Sequence, residues 1–407
     1  MSSSTIKSKA NKPPGTSTDW RRYLAWYLST LLIACALVAG FNAIIDPEAR
    51  LLIVDKPGFN QAKIALQTNS RKGKATALRQ CGYNTIALGT SRAETAIAVD
   101  HPALKDGRTY NAALRGGTIY EMRRLAEYAT RHGNLKQLVL GLDFESFNAQ
   151  IPFAEDFAES PLAETVSVAS LARYLVSVRT LRLSLVTVAW NIKGKAILCS
   201  DSGEHKRTYE LEAARKTFDF ILRRYAIGNY SDYILGEQGI QNLATLLNEL
   251  AHADVKVYAY ISPVHVTHLE LMAEMNLSKD YENWKRKLVA LFAEVNRDLP
   301  EQQQMALWDF SGYSEISTEK VPGPEQQKFM RWYDDSSHFN RSVGGLILDR
   351  MLGTQPGESV TRETFGVMLT PDNIDLQIEA DQRNSKLYRL YNPDEILRLQ
   401  NMLSALE

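Results

Sequence analysis

Residues 85–92 read Thr-Ile-Ala-Leu-Gly-Thr-Ser-Arg, an apolar run that stops at a glycine and continues through a threonine into a serine. Such a run predicts a buried strand, and the Gly-Thr-Ser that follows predicts a tight turn into a helix. This turn would expose the hydroxyl of Ser91 above the sheet and point backbone N–H groups at whatever the oxygen attacks. The alternative role for Ser91 is that of a helix N-cap.

Similar short runs rich in Val, Ile, Leu or Tyr recur along the chain and alternate with helical stretches. The predicted strands are 85–89, 108–111, 137–143, 255–261 and 305–310. The predicted helices are one capped by Thr118 and ending near Gly133, one at 238–252, two within 266–299 and one at 393–406. This order predicts an α/β fold with a doubly wound parallel sheet, in which sites form at the carboxyl ends of the strands.

Between residues 157 and 235 the alternation of strands and helices is lost, and we predict a helical insertion there. Its part from 171 to 192 is apolar with arginines interspersed, namely Arg173, Arg179 and Arg182. This part is either a helix on a membrane surface or a helix packed against the body. Residues 354–407 are predicted to form a polar, partly helical carboxyl-terminal extension.

An uncharged apolar stretch covers residues 23–45, between Arg22 and Asp46. As a helix it would be about 34 Å long, enough to cross a hydrocarbon core of about 30 Å. Because Lys and Arg cluster before it, the positive-inside rule places residues 1–22 in the cytoplasm. We therefore predict a single-pass protein of the bacterial inner membrane with a periplasmic body at 46–353. A cleavable signal peptide is the alternative.

Three cysteines with no C-x-x-C pair exclude a disulfide-built scaffold, a zinc ribbon and a thioredoxin-type redox motif. Residues 32–35, Leu-Ile-Ala-Cys, are similar to a bacterial lipoprotein processing box, so lipidation of Cys35 is a second alternative to the uncleaved anchor. Outside the cytoplasm Cys81 and Cys199 would lie in an oxidising compartment, where they either pair or remain buried free thiols.

The charges of the chain balance, with 47 Lys plus Arg against 47 Asp plus Glu. A net charge of zero argues against nucleic acid as a partner. No cluster of His, Asp and Glu has the spacing of metal ligands, so we expect no metal and no cofactor.

A second chemical motif, Asp335-Ser-Ser-His338, precedes the pattern of an amphipathic helix. In D-x-x-H spacing one short turn can hold the carboxylate against an imidazole nitrogen, which fixes the tautomer and stabilises the imidazolium. The other nitrogen can then face a serine from elsewhere in the sheet, and Ser91 is the candidate. The alternative is a surface histidine beside a helix-capping aspartate.

A third motif follows the second predicted strand, where residues 111–118 read Asn-Ala-Ala-Leu-Arg-Gly-Gly-Thr. Glycines at a strand-to-helix turn can bring a backbone N–H close to a ligand oxygen. By itself, the Gly-Gly pair indicates only a turn.

Together the three motifs resemble those of the SGNH or GDSL-like hydrolase family. The resemblance implies a flavodoxin-like three-layer sandwich that carries esterases, lipases and carbohydrate acetyl-transfer proteins. The Gly-Thr-Ser that ends at Ser91 matches the family's nucleophile block, which implies Ser91 as the nucleophile. Asn111 and Gly116 keep the ends of the N-x-G-x-x-G block, which implies an oxyanion hole of Ser91 and Gly116. Asp335 and His338 match the last block, D-x-x-H.

The chain departs from this family pattern at two positions. Ala113 replaces the middle glycine of the second block. Asp143 stands where the family usually shows the Asn of G-x-N-D, whose amide donates to the oxyanion. An ionised carboxylate there would repel a developing oxyanion. Either Asp143 is protonated, or it points elsewhere, or another donor such as Asn148 substitutes.

Three further residues are candidates for the same cleft. His265 follows the fourth predicted strand, and the carboxyl ends of parallel strands converge. The alternative for His265 is a buried structural histidine. Arg92 and Arg115 flank the serine turn and the glycine turn, where they would either bind an acidic sugar or phosphate or remain solvated or ion-paired at the surface.

One amino-terminal span before an SGNH-like body also resembles membrane-tethered proteins of cell-envelope acyl transfer, including those of alginate O-acetylation and teichoic acid D-alanylation. This resemblance implies a serine esterase or O-acyltransferase that acts on an acylated cell-envelope glycan through a Ser-His-Asp acyl-enzyme. The implied partners are the inner membrane, a membrane-bound acyltransferase or polysaccharide export protein, and a glycan or acyl-ester substrate. The alternative is a catalytically inactive SGNH-like module that binds or assembles an envelope polysaccharide biosynthesis complex.

Overall fold

The computed structural model describes residues 17–63, 70–105, 107–165, 167–194, 199, 202–205, 214–326, 328–353 and 365–406. These residues form two compact units. The first unit consists of 17–47, 51–63 and 167–194, and the second holds the other described residues. Residues 1–16 of the predicted cytoplasmic segment, with 354–364 and 407 of the predicted extension, lie outside the described residues.

The second unit is built on a sheet of short strands. In chain order they are β1 Thr85–Leu88, β2 Thr109–Asn111, β3 Gln137–Leu142, β4 Lys256–Ile261, β5 Ala306–Asp309 and β6 Val367–Met368. Their order across the sheet is β2-β1-β3-β4-β5-β6. The first five are parallel to their neighbours, whereas β6 pairs antiparallel with β5. The five predicted strands are confirmed, and the sheet is mostly parallel as expected. The sequence did not predict β6, whose antiparallel pairing makes the sheet mixed.

The strand order reverses at β1, since β2 lies on one side of it and β3 on the other. In open α/β sheets the ligand crevice lies outside the carboxyl ends of the strands at such a switch point. All four β1 residues are buried, as expected of a parallel strand with both faces covered. The residues that follow β1 are therefore placed at the crevice.

Both units contain helices, and those of the second unit connect its strands. In chain order the helices are α1 Ser17–Ile45, α2 Arg71–Gln80, α3 Ser91–Ala96, α4 Ile119–His132, α5 Val168–Val176, α6 Val178–Ile192, α7 Ala214–Tyr225, α8 Glu237–His252, α9 Val266–Glu274, α10 Ser278–Asn296, α11 Arg341–Leu352, α12 Ile374–Tyr391 and α13 Pro393–Ser404. Thr118 caps α4 through a capping box with Glu121, as the sequence predicts. The α/β fold class is confirmed.

Two helices at the carboxyl end are held by ion pairs. Lys285 of α10 is almost fully buried and lies 2.8 Å from Asp309 of β5 and 3.2 Å from Asp381 of α12. Arg215 of α7 lies 2.6 Å from Glu395 of α13. Removing one member of a buried pair would leave the other charge uncompensated, so these contacts fix both helices. The sequence predicted α13 but not α12.

A disulfide joins Cys81, which follows α2, to Cys199 within the second unit. Of the two alternatives for these cysteines, the structure has the paired one. Cys35 is a free, exposed cysteine on α1.

The first unit contains α1, α5 and α6. Over Trp20–Ile45, α1 is long and apolar enough to cross a membrane, and most of its large apolar side chains are exposed. The expected anchor is compatible with this helix. The helical stretch expected at 171–192 is divided into α5 and α6, which are bent by 62° at a break where Ser177 caps α6.

Candidate active site

The turn after β1 is shaped by a glycine and a threonine. A Cβ at Gly89 would lie 2.8 Å from the Cβ of Ala93 and 3.2 Å from the carbonyl oxygen of Gly141. A side chain at this position would therefore push the turn away from β3. Thr90 caps α3, because its hydroxyl accepts a backbone N–H of the first turn at 3.3 Å. Ser91 is thus the first residue of α3 and not its N-cap.

The side chains of Ser91, His338 and Asp335 form one chain of hydrogen bonds. The Ser91 Oγ lies 2.8 Å from Nε2 of His338, a residue 247 positions away. Nδ1 of His338 lies 2.9 and 2.8 Å from the two carboxylate oxygens of Asp335. Because the carboxylate accepts the proton on Nδ1, Nε2 is the nitrogen that accepts from the serine hydroxyl. The fold therefore brings together the three residues of the expected triad.

Asp335 is fixed by its own loop. Its Oδ1 accepts the backbone N–H of Ser337 at 2.8 Å and that of His338 at 2.9 Å. Helix α11 is capped by Asn340, so Asp335 is not the helix cap. Asp335 is 1% and His338 6% exposed. The buried carboxylate therefore fixes the tautomer and the orientation of the ring.

Helices α3 and α11, which begin at Ser91 and shortly after His338, meet through their backbones. A Cβ at Gly344 of α11 would overlap the carbonyl oxygen of Ala96 at the end of α3. Glycine therefore lets the two helices approach with no side chain between them. The spacing of the serine and histidine elements is set by main-chain atoms.

The buried guanidinium of Arg92 joins several parts of the site. Its Nη1 lies 2.9 Å from Asp143 and 2.7 Å from Glu145, and its Nε donates to the carbonyl oxygen of Ser337 at 2.9 Å. Burial acts to lower the pKa of Arg92, but Glu145 and Asp143 raise it well above its ordinary value. Arg92 was expected either to bind a ligand or to lie at the surface, solvated or ion-paired. Instead, its side chain is buried and ion-paired.

Asp143 points into this network. Its Oδ2 accepts from the Thr90 hydroxyl at 2.5 Å, and its Oδ1 faces Arg92. Asp143 does not line the cavity into which Ser91 opens. Of the three alternatives for this position, the geometry matches a carboxylate that points elsewhere. Burial raises the pKa of the neighbouring Glu145, although Arg92 acts to lower it.

Gly116 lies at the turn after β2 with a φ of +59° and lines the same cavity as Ser91. Glycine adopts this left-handed conformation without strain. Asn111 has a different role, because its amide donates to the carbonyl oxygens of Ala93 and Ile97 at 2.9 Å each. These bonds tie β2 to α3 and so set the glycine turn beside the serine turn.

The other three candidate cleft residues have separate surroundings. Asn148 lines the cavity, but its amide donates to a backbone carbonyl at 2.9 Å. Arg115 also lines the cavity and pairs with Glu94 at 3.0 Å. His265 lies outside the cavity, with Nε2 2.7 Å from the carbonyl oxygen of Glu319, and burial lowers its pKa to about 4. His265 thus matches the alternative of a buried structural histidine.

The cavity above Ser91 has a volume of about 1150 Å³. Ser91, Gly116 and His338 contribute to one side of it. The carboxyl end of α7 and the π-helical turn Ala226–Tyr230 contribute further walls. From α7 through residue 233, the polar residues that line the cavity are Arg224, Tyr225, Asn229, Tyr230, Ser231, Asp232 and Tyr233. A cavity of this size takes ligands at least as large as a drug-sized molecule.

Sequence reasoning missed the tyrosines and a second histidine. The Tyr225 hydroxyl accepts from Ser337 Oγ at 2.9 Å and donates to Glu145 at 3.2 Å. The Tyr230 hydroxyl lies 2.8 Å from Nε2 of His268. Burial lowers the pKa of His268 well below its ordinary value, so the ring is neutral. The one signal for His268 was its position in the segment that follows the fourth strand.

No protein-family model matches this chain, and no match is found among curated proteins. Within the described residues, no group of three or more His, Cys, Asp or Glu is arranged to hold a metal ion. What the site can do therefore follows from the geometry of Ser91, His338 and Asp335.

Proposed function

We propose that this chain is a membrane-tethered serine esterase or O-acyltransferase that acts on an acylated cell-envelope glycan. The observation that carries the proposal is the hydrogen-bond chain from Ser91 through His338 to Asp335, with distances of 2.8 Å at both steps, beside a large cavity. A serine within reach of an imidazole that a buried carboxylate orients is the arrangement that activates a serine nucleophile.

In the proposed reaction the Ser91 oxygen attacks the carbonyl carbon of an ester, and its proton passes to Nε2 of His338. Asp335 stays ionised and stabilises the imidazolium. The oxyanion accepts the backbone N–H groups of Ser91 and Gly116, of which the first has no acceptor within its own helix. His338 then donates the proton to the departing alcohol, and the acyl group remains on Ser91.

Either water or a glycan hydroxyl releases the acyl group, with His338 as the general base. Hydrolysis and transfer use the same residues and differ in which acceptor reaches the ester. Tyr225, Tyr230 and Tyr233 line the cavity, and their rings are assigned to binding of the glycan because an aromatic ring offers an apolar face to a sugar.

In this proposal α1 is the tether, with the body in the periplasm and the span in the inner membrane, as the positive-inside rule indicates. A membrane-bound acyltransferase or polysaccharide export protein is the proposed partner. It would deliver the acyl group or the glycan to the cavity.

The alternative is an inactive SGNH-like module that binds a glycan or assembles a biosynthetic complex. Its support in the sequence was the carboxylate at Asp143. Since this carboxylate faces Arg92 and Thr90, its charge is not aimed at an oxyanion beside Ser91. We therefore favour the enzyme.

Covalent labelling with a fluorophosphonate probe tests the proposal on the full chain in detergent. We expect labelling of the wild type and a loss on the order of 100-fold or more in Ser91→Ala and His338→Ala. Ser231→Ala is the matched control, because Ser231 lines the same cavity but bonds to the carbonyl oxygen of Ile227.

Two results would overturn the proposal. One is a folded wild type that does not react, which would favour the binding module. The other is labelling that persists in Ser91→Ala, which would place the reactive group elsewhere. Circular dichroism of each variant separates a loss of reactivity from a loss of folding.

A further inference from the structure

Helix α6 has the reverse of the polarity that a helix in water shows. Its buried residues are all polar, and they are Thr180, Ser184, Thr187 and Asn191. They recur at intervals of three or four positions, which places them on one face of the helix. Its large exposed apolar residues are Val178, Leu185, Val186, Trp190 and Ile192. Because a helix on a water-soluble body turns its apolar stripe inward, the outer face of α6 is not adapted to water.

Helix α5 extends this apolar surface. Its buried residue is Tyr174, while Val168 is 81% and Val176 50% exposed. Both α5 and α6 pack against α1 in the same compact unit. We call α5 and α6 the bent helix pair. Its exposed apolar side chains continue those of α1, the helix that is long enough to span a membrane.

The polar face of α6 contacts α1 and the segment after it, where the Asn191 amide donates to the carbonyl oxygen of Ala62 at 2.9 Å. The fully buried Asn42 of α1 donates to the carbonyl oxygen of Leu175 at 2.7 Å and accepts from the Ser184 hydroxyl at 2.8 Å. The Leu175 carbonyl lies beside the break between α5 and α6, where carbonyl oxygens lose their helical partners. Internal satisfaction of such groups, and polar side chains as links between helices, are what a lipid environment requires.

Length and charge indicate how deep the bent helix pair lies in the membrane. With 15 residues α6 is about 22 Å long, short of a hydrocarbon core of about 30 Å. Arg173, Arg179 and Arg182 are exposed beside the apolar residues, and arginine is costly at the bilayer centre but favourable at the level of the headgroups. The contact residue Asn42 lies in the last turn of α1. These features place the bent helix pair near the carboxyl-terminal end of the span.

We propose that α5 and α6 form an interfacial membrane anchor in the leaflet that holds the carboxyl end of α1. Phospholipid acyl chains cover the face that carries Leu185 and Trp190, and the arginines contact headgroup phosphates. The chain is then held by two elements, a span and a bent helix pair that enters one leaflet. This inference does not depend on the chemistry of the cavity.

Fluorophores on single cysteines test the proposal in the full chain, reconstituted in phosphatidylcholine and phosphatidylglycerol vesicles. Leu185→Cys and Trp190→Cys, each with Cys35→Ser, report on the outer face of the bent helix pair. Asn248→Cys in the same background is the aqueous control, because Asn248 is exposed on α8. The label on Cys35 of the wild type is the reference for the span, since this thiol is free and exposed.

We expect the labels at 185 and 190 to be quenched by shallow doxyl lipids at least as strongly as the label at 35. Quenching by aqueous iodide is expected to be roughly fivefold weaker than at 248. The substituted side chains are exposed, so the contacts of Asn42 stay intact, and labelling without reductant keeps the disulfide.

Three results would overturn the proposal. Iodide quenching equal to that at 248 would mean that water covers the bent helix pair. Protection from both quenchers would mean that a second copy of the chain covers it. Stronger quenching by deep than by shallow doxyl lipids would mean that the bent helix pair reaches the bilayer centre.

Discussion

The Nε of Arg92 donates to the carbonyl oxygen of Ser337 at 2.9 Å, and this bond joins the turn that presents Ser91 to the loop that presents His338. The same guanidinium neutralises two buried carboxylates. Arg92 is thus a positioning residue, which orients the proposed nucleophile and base without lining the cavity.

Replacing Arg92 tests this role. In Arg92→Met the free energy of unfolding is expected to fall by about 3–5 kcal/mol, because two buried carboxylates lose their counter-charge. Arg92→Lys keeps a charge but not the planar fork, so its stability falls less while fluorophosphonate labelling slows about tenfold. Urea denaturation and labelling rates measure the two effects.

Arg115→Met is the matched control for Arg92→Met, because the Arg115 side chain is 56% exposed in its pair with Glu94. Its cost in stability is expected to stay below about 1 kcal/mol. If Arg92→Lys labelled at the rate of the wild type, the positioning role would be wrong.

Asp143→Asn introduces the asparagine that the resemblance to SGNH hydrolases implies at this position, yet we expect no faster labelling. The side chain faces Arg92 and Thr90, so an amide here would not reach an oxyanion on Ser91. The free energy of unfolding is expected to fall by about 1–3 kcal/mol, because a charged hydrogen bond is lost. A clear gain in labelling rate would show that Asp143 acts at the oxyanion after all.

Gly344→Ala and Gly345→Ala form a matched pair on α11. The first places a methyl group on the carbonyl oxygen of Ala96, whereas the second has its nearest neighbour at 3.8 Å, on His101. We expect Gly344→Ala to lose about 1–3 kcal/mol of stability and to label more slowly, since α11 must move from α3. Gly345→Ala should be neutral or stabilising by up to about 1 kcal/mol. Equal thermal midpoints for the two variants would contradict the backbone contact.

Acid should destabilise the body through its buried histidines. Burial lowers the pKa of His265 to about 4, below the ordinary value of 6.5. Between these two pH values the unfolded chain binds a proton at this residue that the folded chain does not bind. Stability is therefore complete above pH 6.5 and falls as the pH drops toward 4, by about 3 kcal/mol for this residue.

His265→Asn keeps an acceptor for the start of α9 but does not titrate. We expect it to flatten the decline in unfolding free energy between pH 6.5 and 4, measured by urea denaturation at several pH values. Some decline should remain, because burial also lowers the pKa of His268. An unchanged slope would show that His265 is not buried as described.

Reduction of the Cys81–Cys199 disulfide should lower the free energy of unfolding by about 2–5 kcal/mol, because the link closes a loop of 118 residues. The Cys81→Ser, Cys199→Ser double variant should match the reduced wild type and gain nothing from an oxidant. Non-reducing peptide mapping checks the pairing. A wild type whose denaturation midpoint is the same with and without reductant would contradict it.

Much of the fold is readable from local pattern. Strands β1 to β5 could be predicted because the strands of a covered parallel sheet are apolar over most of their length. By contrast, β6 has only two residues, and α12 buries only Ile374 and Ile378. Neither leaves a periodic signal strong enough to predict an element.

The candidate site divides in the same way. Ser91, Asp335 and His338 each stand in a motif with its own local spacing, so their convergence could be expected before their distances were known. The contacts of Arg92 and Tyr225 join segments that are distant in the chain. Such contacts arise only on folding, and a single sequence carries no periodic trace of them.

The antiparallel strand β6 and the carboxylate of Asp381 both belong to the last part of the described chain. Until these residues have been synthesised, β5 presents an open edge and Lys285 lacks one of its two carboxylates. A ribosome-bound chain that has passed His338 therefore holds every member of the candidate triad but not the complete sheet. Before β6 has been translated, the edge of β5 is therefore unpaired, and an unpaired edge is a template for pairing with another chain.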